Sequence, residues 1–286
     1  MSAPILVFGR TGQVGAVLAA MPGVVALARA EADLADPDAC AAAIRTHAPA
    51  AVINAAAWTA VDAAEEHAEA AHRINAAAPA AMARAAARLG IPFVQISTDY
   101  VFDGTGTRPW APGDTPAPLG AYGRSKLAGE RAVRGAGGCH AILRTSWVFS
   151  AHGRNFLTTM LRLGAERERL TVVADQIGGP TPAAAVAHAC HAIAHRLIAA
   201  PELSGTHHLG GAPDVSWAGF ARAILAAADL ACEVEDIPTA AWPTPAPRPL
   251  NSRLDCSGLE AAFGIPRPDW RAGVAAALAE LQGPRP

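Results

Sequence analysis

The chain has 286 residues, a net charge of -2 and a hydrophobic fraction of 51%. That length buries a sizeable core in one large domain or a domain with a lobe, and the near-neutral charge excludes a global field for nucleic acid or an acidic membrane. The cysteines (Cys40, Cys139, Cys190, Cys232, Cys256) are odd in number, widely spaced and free of Cys-x-x-Cys, which argues against a disulfide framework or a zinc site.

No basic segment with an apolar core follows Met1, and no apolar run is long and unbroken enough to span a bilayer, so a cytoplasmic protein is expected. Ile5-Leu6-Val7-Phe8 reads as a buried parallel strand. Gly9-Arg10-Thr11-Gly12-Gln13-Val14-Gly15 follows and opens a helix. Glycines at this spacing, between a strand and a helix, permit a tight turn and close approach to a pyrophosphate at the helix N-terminus. Val24 to Ala28 is the second strand, with Arg29 just past it. An acidic residue there would hold a ribose 2′-hydroxyl, whereas an arginine accommodates a 2′-phosphate. Arg29, with Arg10 as a second cation, therefore favours NADPH over NADH.

A helix around 38–46 leads to a strand over 51–57 that ends in small residues. Residues 62–87 read as helix broken at Pro79, with Glu65, Glu66, Glu69 and Arg73 on a solvated face. Phe93 to Ser97 is the next strand, and Thr98 and Asp99 stand at its end, where open parallel sheets bind ligands. A Gly- and Pro-rich loop over 104–119 precedes Tyr122-Gly123-Arg124-Ser125-Lys126. Tyr122 and Lys126, at i and i+4, share one helix face. A cationic Lys126 is expected to lower the Tyr122 pKa toward neutrality and make it a proton donor or acceptor. Residues 141–149 read as a further strand, after which the βα rhythm weakens. His188, His191 and His195 fall on one helix face and read as half-buried histidines, not a metal site. The last helix spans 270–281.

The expected fold class is α/β, a doubly wound parallel sheet with a smaller C-terminal substrate lobe. Residues 1–149, with a helical return around 180–200, form the dinucleotide domain; 150–179 and 201–286 form the lobe.

In order along the chain, the motifs are Gly9–Gly15, Asn54–Asp62, Ser97–Gly104, Tyr122–Glu130, Arg144–Phe149, Asp175–Thr181 and Arg248–Ser252. Together they resemble the extended short-chain dehydrogenase/reductase superfamily and, within it, the dTDP-4-dehydrorhamnose reductases. The resemblance implies NADPH-dependent reduction of the C4 ketone of dTDP-4-dehydro-L-rhamnose, with Thr98, Tyr122 and Lys126 as the catalytic triad. It implies cofactor contacts at Gly9, Gly12, Gln13, Val14, Asp33, Leu34, Ala56, Ala57 and Thr59. It implies substrate contacts at Thr98, Asp99, Trp147, Asn155, Arg248 and Asn251. Some members bridge a dimer through magnesium held by glutamates early in the first helix. Val14 to Leu18 carries no acid, so a homodimer here is expected without a metal bridge. The alternatives are an epimerase or dehydratase of the superfamily and a non-catalytic regulatory subunit on the same fold. The intact triad residues favour the enzyme, and a dehydratase would be expected to place an acid pair beside its threonine.

Overall fold

A computed structural model describes residues 3–283. Its centre is a six-stranded parallel sheet made of β1 (Ile5–Phe8), β2 (Val24–Leu27), β3 (Ala51–Asn54), β4 (Phe93–Thr98), β5 (His140–Thr145) and a late strand, Gly205–Leu209. With β6 assigned to Arg169–Val173 and β7 to Gly205–Leu209, the order is β7-β5-β4-β3-β1-β2. The chain runs outward from β1 to β2 and then returns to β3, so the strand order reverses between β1 and β3. A crevice at the carboxyl ends of the strands follows from that reversal.

Both sheet faces are covered, which is why β1 is apolar throughout and buried at every position. Alternate residues serve the two sides. Ile5, Val7, Ile53, Val94 and Leu143 pack under α1 (Gln13–Ala19) and a long helix over Ala183–Ala199. Leu6, Phe8, Val52, Phe93 and Ile142 pack under α2 (Pro37–His47) and α3 (Ala78–Leu89). The helix α4 (Ala121–Gly135) lies beside α3 and carries Tyr122 and Lys126.

The remaining chain builds a lobe from α5 (Phe156–Glu166), α7 (Trp217–Ala227) and α8 (Trp270–Gln282), while α6 (Ala183–Ala199) packs on the central sheet. Strand β6 pairs in parallel with β8 (Glu233–Ile237). Phe149, Leu157, Leu170, Phe220, Ile224 and Trp270 form the core of this lobe. Among the described residues no helix is long and apolar enough to cross a membrane.

Several expected boundaries shift, and the strand expected over 51–57 already ends at Asn54. The strand expected over 141–149 stops at Thr145, because Trp147 adopts a left-handed φ of 50°; Val148–Phe149 then pairs with Thr181–Pro182 instead. The helix expected over 62–87 breaks at His67 and passes through a π turn over Arg73–Ala77. Pro79 does not end it: the backbone stays helical from the π turn through Ala77 and Ala78 into α3, and Pro79, which has no N–H to donate, follows directly on that turn. The 201–286 segment is not wholly lobe, since β7 forms the edge of the central sheet beside β5.

Candidate active site

The loop after β1 shows why glycine is needed there. Gly9 has a φ of 101°, and a Cβ on it would lie 2.9 Å from the Ala56 nitrogen. Only glycine lets the β1 and β3 loops meet this closely. Helix α1 begins at Gly12 with no side-chain cap and no acid in its first turn. Its first N–H groups are therefore left for an anion.

Gly9, Gly12, Gln13, Val14, Arg29, Asp33, Leu34, Ala56, Ala57 and Thr59 line one cleft together with Thr98, Asp99, Tyr122, Lys126, Trp147 and Asn155. Its volume, about 720 Å³, suits a cofactor or small-molecule site. Arg29 is exposed on its rim. Arg10, expected as a second cation, is absent from the cleft lining and pairs with Glu31 at 3.2 Å on the exposed surface.

Tyr122 sits in the first turn of α4, and the start of that helix is held by Glu65. The Ala121 N–H donates to Glu65 Oε1 at 2.7 Å, so Glu65 is a helix cap and not merely part of a solvated face. Helix α4 also presses closely on the turn after β4: a Cβ on Gly123 would collide with the Tyr100 carbonyl oxygen. That approach brings the Tyr122 ring edge-on to Tyr100, with centroids 5.6 Å apart. Thr98, the last residue of β4, donates from Oγ1 to Asp99 Oδ1 at 3.1 Å and accepts from the Tyr100 N–H at 3.2 Å. Lys126 is buried one turn beyond Tyr122 and donates from Nζ to the Ile96 carbonyl at 2.7 Å.

The titration behaviour corrects one expectation. Burial pushes Tyr122 up to about 12, with the Asp99 charge adding to the shift and the Thr98 hydrogen bond opposing it. Lys126 does not draw the phenol toward neutrality. Burial instead pulls Lys126 itself down to about 8, against the opposing charge of Glu130. A phenol held this high is protonated at neutral pH, the state a proton donor requires. Burial also pushes Asp99 up to about 6, against hydrogen bonds from Ser252 and Thr98.

Glu130, one turn beyond Lys126, has no exposure. It accepts from Ser97 Oγ at 2.7 Å and from Arg144 Nε and Nη2 at 2.8 and 2.7 Å. A buried charge requires such partners. Here they tie α4, β4 and β5 together one helical turn from Lys126.

The opposite wall is aromatic. Trp147, turned out of its strand by its left-handed backbone, stacks on Trp217 with centroids 3.6 Å apart, and Phe156 packs against Trp217. Gln13 Oε1 accepts from Ser150 Oγ at 2.8 Å and from Asn155 Nδ2 at 3.0 Å. Asn155 also caps α5 through Oδ1, so its amide fastens the lobe to the glycine loop. Arg154 lines the cleft beside it and, among the described residues, has no hydrogen bond or ion pair.

Two expected substrate residues lie elsewhere. Arg248 pairs with Asp62 at 2.9 Å, and Asn251 is buried with Nδ2 donating to the Arg108 carbonyl at 2.8 Å. Neither lines the cleft. Both fasten the proline-rich segment to the sheet domain. The sequence reading also missed Asn75. It brackets Trp58, accepting from its N–H at 2.9 Å and donating to its carbonyl at 3.0 Å. A lone asparagine in an alanine-rich helix was the available signal. His191 and His195 approach at 3.3 Å, but among the described residues no group of three such side chains could hold a metal.

A glycine loop at the switch point of a parallel sheet, facing a tyrosine, a lysine and a threonine at its carboxyl edge, defines a dinucleotide-dependent short-chain oxidoreductase. The family model described as the RmlD substrate binding domain matches residues 3–283. The chain is 47% identical over 293 residues to the dTDP-4-dehydrorhamnose reductase of Burkholderia thailandensis, covering 97% of this chain and 98% of that one. Among solved structures, the dTDP-4-dehydrorhamnose reductase of Clostridium acetobutylicum matches with a TM-score of 0.90 at 34% identity, over 98% of this chain and 99% of that one. The enzyme of that name from Bacillus anthracis, solved in complex with NADP, matches with a TM-score of 0.90 at 32% identity, over 98% and 100%. The chain belongs to the dTDP-4-dehydrorhamnose reductase family.

Proposed function

We propose that this chain reduces the C4 ketone of dTDP-4-dehydro-L-rhamnose to dTDP-L-rhamnose with NADPH, through Tyr122, Lys126 and Thr98. The observation that carries this reading is that Tyr122, Lys126 and Thr98, all buried, line the same cleft as the glycine loop. The residues fit NADPH. The glycine turn and the uncapped start of α1 suit a pyrophosphate, and Arg29 on the rim suits a 2′-phosphate. When bound, the cofactor supplies the hydride.

The chain's own residues do the rest. Tyr122 gives its hydroxyl proton to the C4 oxygen. Thr98, turning its hydroxyl proton from Asp99 Oδ1 to that oxygen, holds it beside the phenol. Lys126, steadied by the Ile96 carbonyl and the Glu130 charge, stabilises the negative charge that develops on Tyr122. Trp147 and Trp217 give the hexose and base an apolar wall that also excludes water. Arg154, with no partner of its own, takes the sugar diphosphate in place of Arg248. A regulatory subunit on this fold has no use for a buried lysine, whose desolvation costs stability.

The test is to mix purified protein, NADPH and dTDP-4-dehydro-L-rhamnose, follow NADPH absorbance, and identify the product by NMR. Oxidation with formation of dTDP-L-rhamnose supports the reading. Tight binding of NADPH without turnover would favour the regulatory subunit.

A further inference from the structure

Among the described residues, two buried side-chain oxygens have no hydrogen-bond partner: Asp99 Oδ2 and Thr145 Oγ1. Both residues line the cleft. Asp99 already belongs to the substrate site; Thr145 has no part in the mechanism above. Thr145 is the last residue of β5, is 5% exposed, and lies in register with Thr98 on β4. Residues in register on parallel strands project to the same side of a sheet. The two hydroxyls are therefore neighbours at the carboxyl edge, where an open parallel sheet takes its ligands.

Their surroundings differ. Thr98 Oγ1 is engaged by Asp99 and by the Tyr100 N–H, whereas Thr145 Oγ1 is idle. The chain just beyond cannot swing in to serve it. Ser146 Oγ is committed to the Gly179 carbonyl at 2.9 Å, and Trp147 is fixed by its stack on Trp217. A buried hydroxyl left unpaired costs stability, and a valine of the same shape would avoid that cost. The hydroxyl is explained if its partner arrives with the ligand.

We propose that Thr145 is a ligand-contact residue whose hydroxyl donates a hydrogen bond to an oxygen of the molecule seated over β4 and β5. That oxygen is either the carboxamide oxygen of a nicotinamide or an oxygen of the hexose. The proposal rests on the reductase reading for its choice of ligands.

Thr145→Val keeps the shape and removes the hydroxyl; Thr145→Ser keeps the hydroxyl and removes a methyl. Three quantities are measured for each: the Tm of the ligand-free protein, the Kd for NADPH by fluorescence titration, and the KM for dTDP-4-dehydro-L-rhamnose. In Thr145→Val the ligand-free Tm is expected to hold or rise while one ligand weakens about tenfold. In Thr145→Ser most of the lost affinity is expected to return. A raised NADPH Kd assigns the bond to the nicotinamide; an unchanged Kd with a raised sugar KM assigns it to the hexose. Unaltered binding of both ligands in Thr145→Val overturns the proposal. So does a serine variant as weak as the valine one, which would make the methyl, not the hydroxyl, the working part. If the wild type fails to turn over the sugar nucleotide, the reductase reading falls. The NADPH titration then decides alone, and an unchanged Kd in Thr145→Val rejects the contact.

Discussion

Glu130→Gln removes one negative charge from a position with no solvent exposure and leaves Arg144, itself 2% exposed, without its counter-charge. Glutamine can accept from Ser97 or from one Arg144 nitrogen, but it cannot offer the two-oxygen fork that now meets Nε and Nη2 at 2.8 and 2.7 Å. The exposed partner Arg134, at 3.2 Å, adds little. Breaking a buried pair by removing one partner costs about 3–5 kcal/mol, and this pair has that geometry. Urea unfolding at neutral pH should show a loss of that size. Glu130→Leu combined with Arg144→Met should recover a large part of it, because both buried charges then go. A second readout bears on catalysis. The Glu130 charge opposes the burial that pulls Lys126 down to about 8. Without it Lys126 loses its proton at lower pH, and the alkaline limb of the turnover profile moves down. A loss below about 1 kcal/mol with an unmoved alkaline limb would refute the role given to this pair.

Asp99→Asn tests the buried carboxyl through pH. The folded value of Asp99, about 6, lies above its ordinary 3.8, so the native state binds the extra proton. Stability from this group is present below the ordinary value and is lost as pH rises through about 6. The stability of Asp99→Asn relative to wild type should therefore grow by up to about 3 kcal/mol across that window; a flat difference in denaturant titrations would count against the buried carboxylate. Arg29→Ala should weaken NADPH binding more than NADH binding, and equal weakening would make Arg29 a bystander. Arg154→Ala should raise the sugar-nucleotide KM about tenfold or more, the size of a lost charge-assisted hydrogen bond. Arg248→Ala should leave that KM nearly unchanged, and the reverse ranking would return the diphosphate to Arg248. EDTA should alter neither turnover nor assembly, since the first turn of α1 has no carboxylate; activity lost to EDTA and restored by a divalent ion would show a metal bridge.

The sheet and half of the site were legible because their signals are local. Short apolar runs ended by glycine mark buried parallel strands, and the spacing of Gly9, Gly12 and Gly15 sits in the one context where it means a phosphate turn. Tyr122 and Lys126 share a helix face by arithmetic alone. What was not legible depends on partners far away in the chain. The motif around Arg248 implies a substrate contact, but Asp62 takes it from 186 positions away. Trp217 becomes a cleft wall only because Trp147 leaves its strand in a left-handed turn, and nothing in the spacing of the two announces the stack. The Tyr122 titration was misjudged for a related reason. Adjacency to Lys126 can be read from sequence, but the burial that outweighs it cannot.

The central claim is that Tyr122 gives the proton to the C4 oxygen, and a single-turnover comparison of wild type with Tyr122→Phe tests it most directly. With NADPH prebound and dTDP-4-dehydro-L-rhamnose added in excess, the account predicts that the phenylalanine variant binds NADPH as wild type does but oxidises it about 10²-fold more slowly or worse. Near-wild-type oxidation by Tyr122→Phe would contradict it and place the proton donor elsewhere in the cleft.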